Sequence, residues 1–320
     1  MFWLKLLLMV LNISIIKSGD PATFLSPDDP FQNRQRFLSE LPGSLAINKL
    51  ALIGTHDSAS SKNFPFAQTQ VLSIKRQLES GIRVLDLRVR ITDNRFALHH
   101  GPIFLNLMFG DAILQVNNFL YNNPDEFVIV LLQEEYRRRN SSLNPCQVLR
   151  NYIDDLGLLA VMDWSIWDNI DYHRGQILLT TTGTGFQSCL TPLSPCEVQN
   201  TWKIDSLLQK RQLIRENQDK MFRKNVYSPC YINYLSGNNP WELITPAHVA
   251  TGVNFMMRNY FRNPHNTLVI ILADFPGQEL IDTVNYSNLV NETVPSAPNQ
   301  KTDLSVGTIL EYLFTSIVTH

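Results

Sequence analysis

The sequence predicts an α/β protein built as an irregular, TIM-like (β/α) barrel in a single domain. Three observations lead there. Apolar strand segments alternate with amphipathic helical segments along most of the chain, several strands are apolar at consecutive positions, and no low-complexity linker breaks the alternation. Continuous apolar strands are those buried on both faces when helices cover a parallel sheet.

The elements follow in order. Residues 50–56 (LALIGTH) read as a buried strand running into a Gly-Thr turn, and residues 69–80 (TQVLSIKRQLES) as an amphipathic helix stopped by Gly81. IRVLDLRV is a second strand and FALHH a short third one. Over residues 106–121 the apolar positions Leu107, Ala112, Ile113, Val116, Phe119 and Leu120 recur at helical spacing before Pro124, which predicts a helix. FVIVLLQE is then an almost wholly apolar strand. Helices near 145–159, 206–219 and 246–260 precede the strands QILLTTT, CYINYL and TLVIILADF. About seven or eight strands arranged this way suit a closed or nearly closed barrel. An open doubly wound sheet is the alternative, but no G-x-G-x-x-G follows an early strand and no Walker-type lysine loop is present. Gly183-Thr184-Gly185 reads as a turn.

Composition narrows the function. The chain has 320 residues, 44% of them hydrophobic, and 27 Lys and Arg against 29 Asp and Glu give a formal charge of -2. So balanced a charge provides no global attraction to nucleic acid or to an anionic membrane, so no nucleic-acid partner is expected and an anionic substrate must be held by a local cluster. Residues 1–19, with an early lysine, an apolar run and small residues at the end, read as a signal peptide and predict secretion. A Pro-rich lead-in covers 20–42, and the catalytic domain 43–320.

In an oxidising compartment Cys146, Cys189, Cys196 and Cys230 are expected in disulfides, with three possible pairings. The short separation favours Cys189 with Cys196, which leaves Cys146 with Cys230. Sequons begin at Asn140, Asn285 and Asn291 and are compatible with glycosylation on surface loops. No coiled coil or other signal for a stable protein partner is present.

Polar residues collect where apolar strands finish, which in a barrel is the face that carries chemistry. Gly54-Thr55-His56-Asp57-Ser58 closes the first strand. Asp86 and Arg88, two apart, share one side of the second. His100 shares a face with Phe96 and Leu98, whereas His99 points the other way, and Asp274 closes VIILADF. Each has a structural explanation as a strand cap or ion pair, but so many ionisable groups at the ends of apolar strands favour function. Two histidines supply a base and an acid near neutral pH, and arginine presents a planar fork to phosphate oxygens. This set describes phosphodiester cleavage without a cofactor, leaving open which histidine is the base. A metal held by His56, Asp57, Asp86 and His100 is the chemical competitor, and Arg88 on the same face as Asp86 opposes it.

These residues resemble the X domain of phosphatidylinositol-specific phospholipase C, in its bacterial, calcium-independent branch. ALIGTHDS, GIRVLDLR, LHHGPIFLN with NNPDEFVIVLLQEEY, and VIILADF carry the resemblance in that order over most of the chain after residue 42. It implies an irregular β/α barrel and an enzyme that cleaves phosphatidylinositol or a glycosyl-phosphatidylinositol to diacylglycerol and inositol 1,2-cyclic phosphate, in transient peripheral contact with a membrane. By the resemblance His56 is the general base on the inositol 2-hydroxyl, and Asp274 orients and polarises that hydroxyl. Arg88 binds a non-bridging phosphate oxygen and Asp86 holds Arg88. His100 protonates the departing oxygen, helped by Asp57.

The headgroup side departs from the bacterial pattern. Relatives carry lysine in the segment matching residues 132–136 and arginine after the strand matching residues 177–180, whereas this chain has Gln133, Glu134 and Thr180. An Asp-x-Tyr segment is replaced by Asn200-Thr201-Trp202. Trp202, Gln133, Glu134 and Asn200 are the expected substrate-binding residues. Phe104, Leu105, Leu107, Met108 and Phe109 are candidates for interfacial contact, although their helical period favours core packing, and the segment 238–241 is a second candidate for the rim. Two competing functions remain: a secreted phospholipid- or inositol-phosphate-binding protein with an impaired headgroup pocket, and a metal-dependent phosphodiesterase of other substrate.

Overall fold

The computed structural model describes residues 20–61, 65–183, 185–193, 195–223 and 227–289. The signal-peptide expectation, the sequon at Asn291 and Thr184 lie outside them. One curled sheet forms the frame. Its strands are β1 (Ala51–Thr55), β2 (Val84–Thr92), β3 (Arg95–His100), β4 (Ile103–Met108), β5 (Val128–Glu134), β6 (Ala160–Val161), β7 (Ile177–Thr180), β8 (Glu197–Gln199), β9 (Cys230–Tyr234) and β10 (Leu268–Ala273). The order is β6-β7-β5-β2-β1-β10-β9-β8, all pairings along it are parallel, and β3 and β4 extend β2 as an antiparallel meander. Among the described residues β8 does not pair with β6 or β7, so the barrel is open there. The α/β barrel reading therefore holds, with a gap in the wall.

The helices are α1 (Ile74–Glu79), α2 (Phe109–Asn122), α3 (Pro145–Leu156), α4 (Leu207–Lys220), α5 (Pro246–Tyr260) and α6 (Gln278–Tyr286). Two clusters of buried side chains follow the two faces of the strands: Ile53, Leu85 and Val130 belong to one, Leu52, Val84 and Ile129 to the other. That split by sequence parity is the alternation expected of strands buried on both sides. The lead-in is packed onto this frame: Ala22, Phe24, Phe37 and Leu38 are buried, and the amide of Phe24 donates to the carbonyl of Phe275.

Three sequence expectations are corrected. The helix expected over 106–121 starts only at Phe109, because residues 103–108 form β4 against β3, and Asn106 turns left-handed at φ 55°. Leu107 matched the helical period only by coincidence. The helix expected from Thr69 begins at Ile74, capped by the Ser73 hydroxyl; Thr69 and Gln70 instead bond to the loops at His56 and Asp57. The disulfides are Cys146–Cys189 and Cys196–Cys230. Glu197 is opposite Tyr231 in the β8–β9 register, so Cys196 falls beside Cys230, with Cα atoms 4.5 Å apart. Spatial register outweighs nearness in sequence.

Asn140 is exposed, but Asn285 is buried in α6 with its amide donating to the carbonyl of Gly81, so the fold removes the second sequon from the surface. Among the described residues no helix is long and apolar enough to cross a membrane.

Candidate active site

The end of β1 is where the backbone departs from regularity. Gly54 allows β1 to approach β2 closely, since a Cβ there would meet the Val84 carbonyl oxygen at 2.5 Å. After Thr55 the chain turns, and Asp57 adopts φ 42°, a conformation costly for a residue with a Cβ. The turn is held by the side chains of Thr69 and Gln70: Thr69 Oγ1 donates to the Asp57 carbonyl at 3.0 Å, and Gln70 Nε2 to those of His56 at 2.8 Å and Ala273 at 3.1 Å. Gln70 thereby ties the ends of β1 and β10 together. Phe275, directly after Asp274, is also left-handed at φ 49°.

This places His56 Nδ1 2.7 Å from Asp274 Oδ1, both groups buried. Burial opposes charging of His56, and Arg88 opposes it too, but Asp274 and Asp57 outweigh both and its pKa is raised above the ordinary value. The carboxylate of Asp274 favours the tautomer with hydrogen on Nδ1, leaving Nε2 as the basic nitrogen. Tyr234 packs edge-on against the His56 ring with centroids 5.9 Å apart, and burial drives its phenol well above the usual range.

His100, at the end of β3, has its ring 6.5 Å from that of His56, centroid to centroid. Its Nδ1 is 2.9 Å from the Ala67 carbonyl oxygen and 3.4 Å from Asp57 Oδ2. A carbonyl can only accept, so Nδ1 carries hydrogen and Nε2 is the nitrogen left for substrate. His99 turns away, with its ring against Phe104.

Arg88 sits in a cage of carboxylates. Its Nε is 3.3 Å from Asp57 Oδ1, Nη2 is 3.2 Å from Asp86 Oδ2, and Nη1 is 3.8 Å from Glu135 Oε2. The guanidinium is held charged by these acids against the cost of burial. Burial raises Asp57 and the charges of Arg88, His56 and His100 lower it, with a net depression. Glu135 moves the other way, raised by burial and by the neighbouring Asp57.

A cavity of about 410 Å³ opens over this set, lined among others by His56, Arg88, His100, Gln133, Glu135, Asn200, Trp202, Ser236 and Asp274. Asp57 and Asp86 stand behind that lining, in contact with His100 and Arg88. A second cavity of about 430 Å³, around Arg34, Arg36 and Asn285, is lined by no histidine among the described residues.

Of the expected substrate-binding residues, Gln133, Asn200 and Trp202 line the cavity. Gln133 Nε2 also donates to Asp86 Oδ1 at 3.1 Å. Glu134 does not line it: its carboxylate pairs with Arg138 on the outside. Alternation explains the correction, since residues 133 and 135 share a face and 134 takes the other. The missed residue is Glu135, whose Oε1 accepts from the Gly101 amide at 2.8 Å. Parity from Gln133 was the signal that pointed to it. Ser236 and Tyr234 were also missed, and no sequence pattern marks them.

Residues 50–158 match the family described as phosphatidylinositol-specific phospholipase C, X domain. The chain resembles that family. A 1-phosphatidylinositol phosphodiesterase of Listeria monocytogenes is 34% identical over 128 residues, covering 38% of this chain and 39% of that protein. The match thus spans about two fifths of the length of this curated relative. For the fold, phosphatidylinositol-specific phospholipase C from Listeria monocytogenes aligns over 80% of this chain and 98% of its own, with a TM-score of 0.64 at 23% identity. A Staphylococcus aureus phosphatidylinositol-specific phospholipase C, in a structure concerned with its membrane binding, aligns over 78% and 97% with a TM-score of 0.67 at 18% identity. The X-domain match covers His56, Asp57, Asp86, Arg88 and His100, whereas Asp274, Asn200 and Trp202 lie beyond it.

Proposed function

We propose that this protein is a secreted phosphodiesterase that cleaves phosphatidylinositol or a glycosyl-phosphatidylinositol. The observation that carries the reading is the pair of histidine rings 6.5 Å apart at one cavity, with Arg88 lining the same space. His56 Nε2 takes the proton of the inositol 2-hydroxyl. The freed oxygen attacks phosphorus, the bond to the glycerol oxygen breaks, and His100 Nε2 delivers a proton to that leaving oxygen. The products are inositol 1,2-cyclic phosphate and diacylglycerol. Arg88 faces a non-bridging oxygen and stabilises charge gathering there, a role that a preorganised donor performs well in a buried site.

Asp274 holds His56 Nδ1 and, lining the cavity, also orients and polarises the hydroxyl. Asp57, 3.4 Å from His100 Nδ1, helps to hold that ring, and Asp86 holds Arg88. The nucleophile belongs to the substrate, so the reaction needs none from the protein. Trp202 and Asn200 form the headgroup wall. Phe104 and Trp241, 42% and 86% exposed, are rim side chains suited to brief contact with a bilayer. Two disulfides fit an oxidising compartment. The domain organisation proposed with this reading is a signal peptide over 1–19, a lead-in over 20–42 and the catalytic domain over 43–320.

The test is to incubate purified protein with phosphatidylinositol vesicles in EDTA and follow phosphorus by NMR. A cyclic phosphodiester resonance together with released diacylglycerol is expected. Folded protein that binds the vesicles but leaves the lipid intact contradicts the reading in favour of a binding protein, and activity abolished by EDTA and restored by a divalent ion favours a metal-dependent enzyme.

A further inference from the structure

The wall that carries Asn200 and Trp202 stands at an edge of the sheet. It continues β8, a three-residue strand at an edge of the sheet, paired among the described residues only with β9. Beyond Gln199 it runs beside residues 236–238: the Trp202 carbonyl accepts from the Asn238 amide at 2.8 Å, and Lys203 bridges to Asn238. Trp202 itself is 58% exposed and contributes little packing of its own.

Behind this wall lies Lys210, on α4 and fully buried. Among the described residues no carboxylate lies within ion-pair distance of it. Burial lowers its ammonium to about 7, with Asp274 pulling modestly the other way. A buried lysine without a counter-ion is costly to keep unless its donors serve something specific. Both of its hydrogen bonds go to the wall: Nζ donates to the Thr201 carbonyl at 2.9 Å and to Gln199 Oε1 at 3.3 Å. The same Gln199 Oε1 accepts from the Thr201 amide, and Gln199 Nε2 donates to Asn233 Oδ1 and to the Tyr234 carbonyl. Lys210 is thus the far end of a network that links α4, the edge strand and the residue beneath His56, and Thr201 lies between the two cavity-lining residues.

We propose that Lys210 is a positioning residue for substrate recognition: by holding Gln199 and Thr201 it fixes the Asn200–Trp202 wall against the headgroup. The proposal rests on the phosphodiesterase reading above and deepens it. Lys210 does not line the cavity and meets no reacting atom. Its loss acts on binding of the inositol ring and leaves proton transfer at His56 and His100 in place.

The experiment uses the full chain and a water-soluble substrate, the p-nitrophenyl ester of myo-inositol 1-phosphate, which removes membrane docking from the readout. Lys210→Met keeps the apolar stem and deletes the donors; Gln199→Met attacks the same network from the strand. Each is expected to raise KM about tenfold, the loss typical of a hydrogen bond to a charged group, with kcat within about threefold of wild type. The double variant should be no worse than the poorer single one, because residues of one network do not act additively. An unchanged KM in a folded Lys210→Met protein overturns the proposal, as does a fall in kcat at constant KM, which would place the effect at Asp274. If Lys210→Met does not fold, Gln199→Met decides alone, and an unchanged KM there overturns it equally. Wild-type protein without turnover overturns the phosphodiesterase reading and this inference together, a result distinct from an active wild type with indifferent variants.

Discussion

The half of the cavity proposed to handle phosphate and the wall proposed to face the headgroup are built differently. Asp86 and Arg88 stand on β2, and His56 and Asp57 in the turn that ends β1; both are interior strands with a parallel neighbour on each side, and every charge there faces another. The wall stands on an edge strand of three residues and ends in a largely exposed indole. Rigid neighbours hold the first half within a narrow range of geometries, as proton transfer requires. The second joins the first through Gln199, whose Nε2 donates to the carbonyl of Tyr234 beneath His56.

Substitutions separate the two halves. The largest effects belong to the interior strands: His56→Ala and His100→Ala should each lower kcat on phosphatidylinositol by at least about two powers of ten, measured as diacylglycerol release. Arg88→Met should cost about the same, a magnitude usual for removing one donor aimed at developing charge, and Arg88→Lys should recover only part because it loses the fork. Weaker in size but specific in sign is Asp274→Asn. His56 has a raised pKa in the native protein, and as a base it works only when neutral. The acidic limb of the kcat/KM profile should thus sit above the usual histidine range and move to lower pH in Asp274→Asn, with a reduced maximum. The stabilising contribution of that ion pair is fully present below the unfolded histidine pKa and is lost as pH rises through the raised native value.

On the wall, Trp202→Ala should raise KM with kcat little changed. Removing the Cys196–Cys230 bridge by a double Ser substitution should lower stability by about 2–4 kcal/mol in denaturant titration, the usual range for a disulfide. The smallest effect is expected for Glu134→Ala, whose partner Arg138 is exposed, and Glu135→Ala at the same strand end should be markedly worse.

The same division marks what the sequence revealed. His56, Arg88, His100 and Asp274 were legible because an ionisable residue at the end of an apolar strand stands out against its neighbours. Alternation alone oriented Asp86 with Arg88 and separated His99 from His100. The rest depended on three-dimensional register. Cys196 meets Cys230 only because β8 lies beside β9, and Glu135 rather than Glu134 reaches the cavity for reasons of parity that the family pattern obscured. Thr69 and Gln70 carry a helical pattern, yet their side chains bond to loop carbonyls, where they hold the His56 turn. Lys210 resembles an ordinary solvent-facing lysine until α4 is seen to turn it inward.

The central claim, a base at His56 and an acid at His100 acting on one phosphorus, is tested most directly by changing the leaving group. Phosphatidylinositol departs as an alkoxide that needs a proton, whereas p-nitrophenolate needs none. His100→Ala should therefore lose at least about a hundredfold on the lipid but far less on the p-nitrophenyl ester of inositol phosphate, while His56→Ala loses heavily on both. Equal losses for both variants on both substrates, or greater recovery of His56→Ala than of His100→Ala on the activated ester, would contradict the assignment.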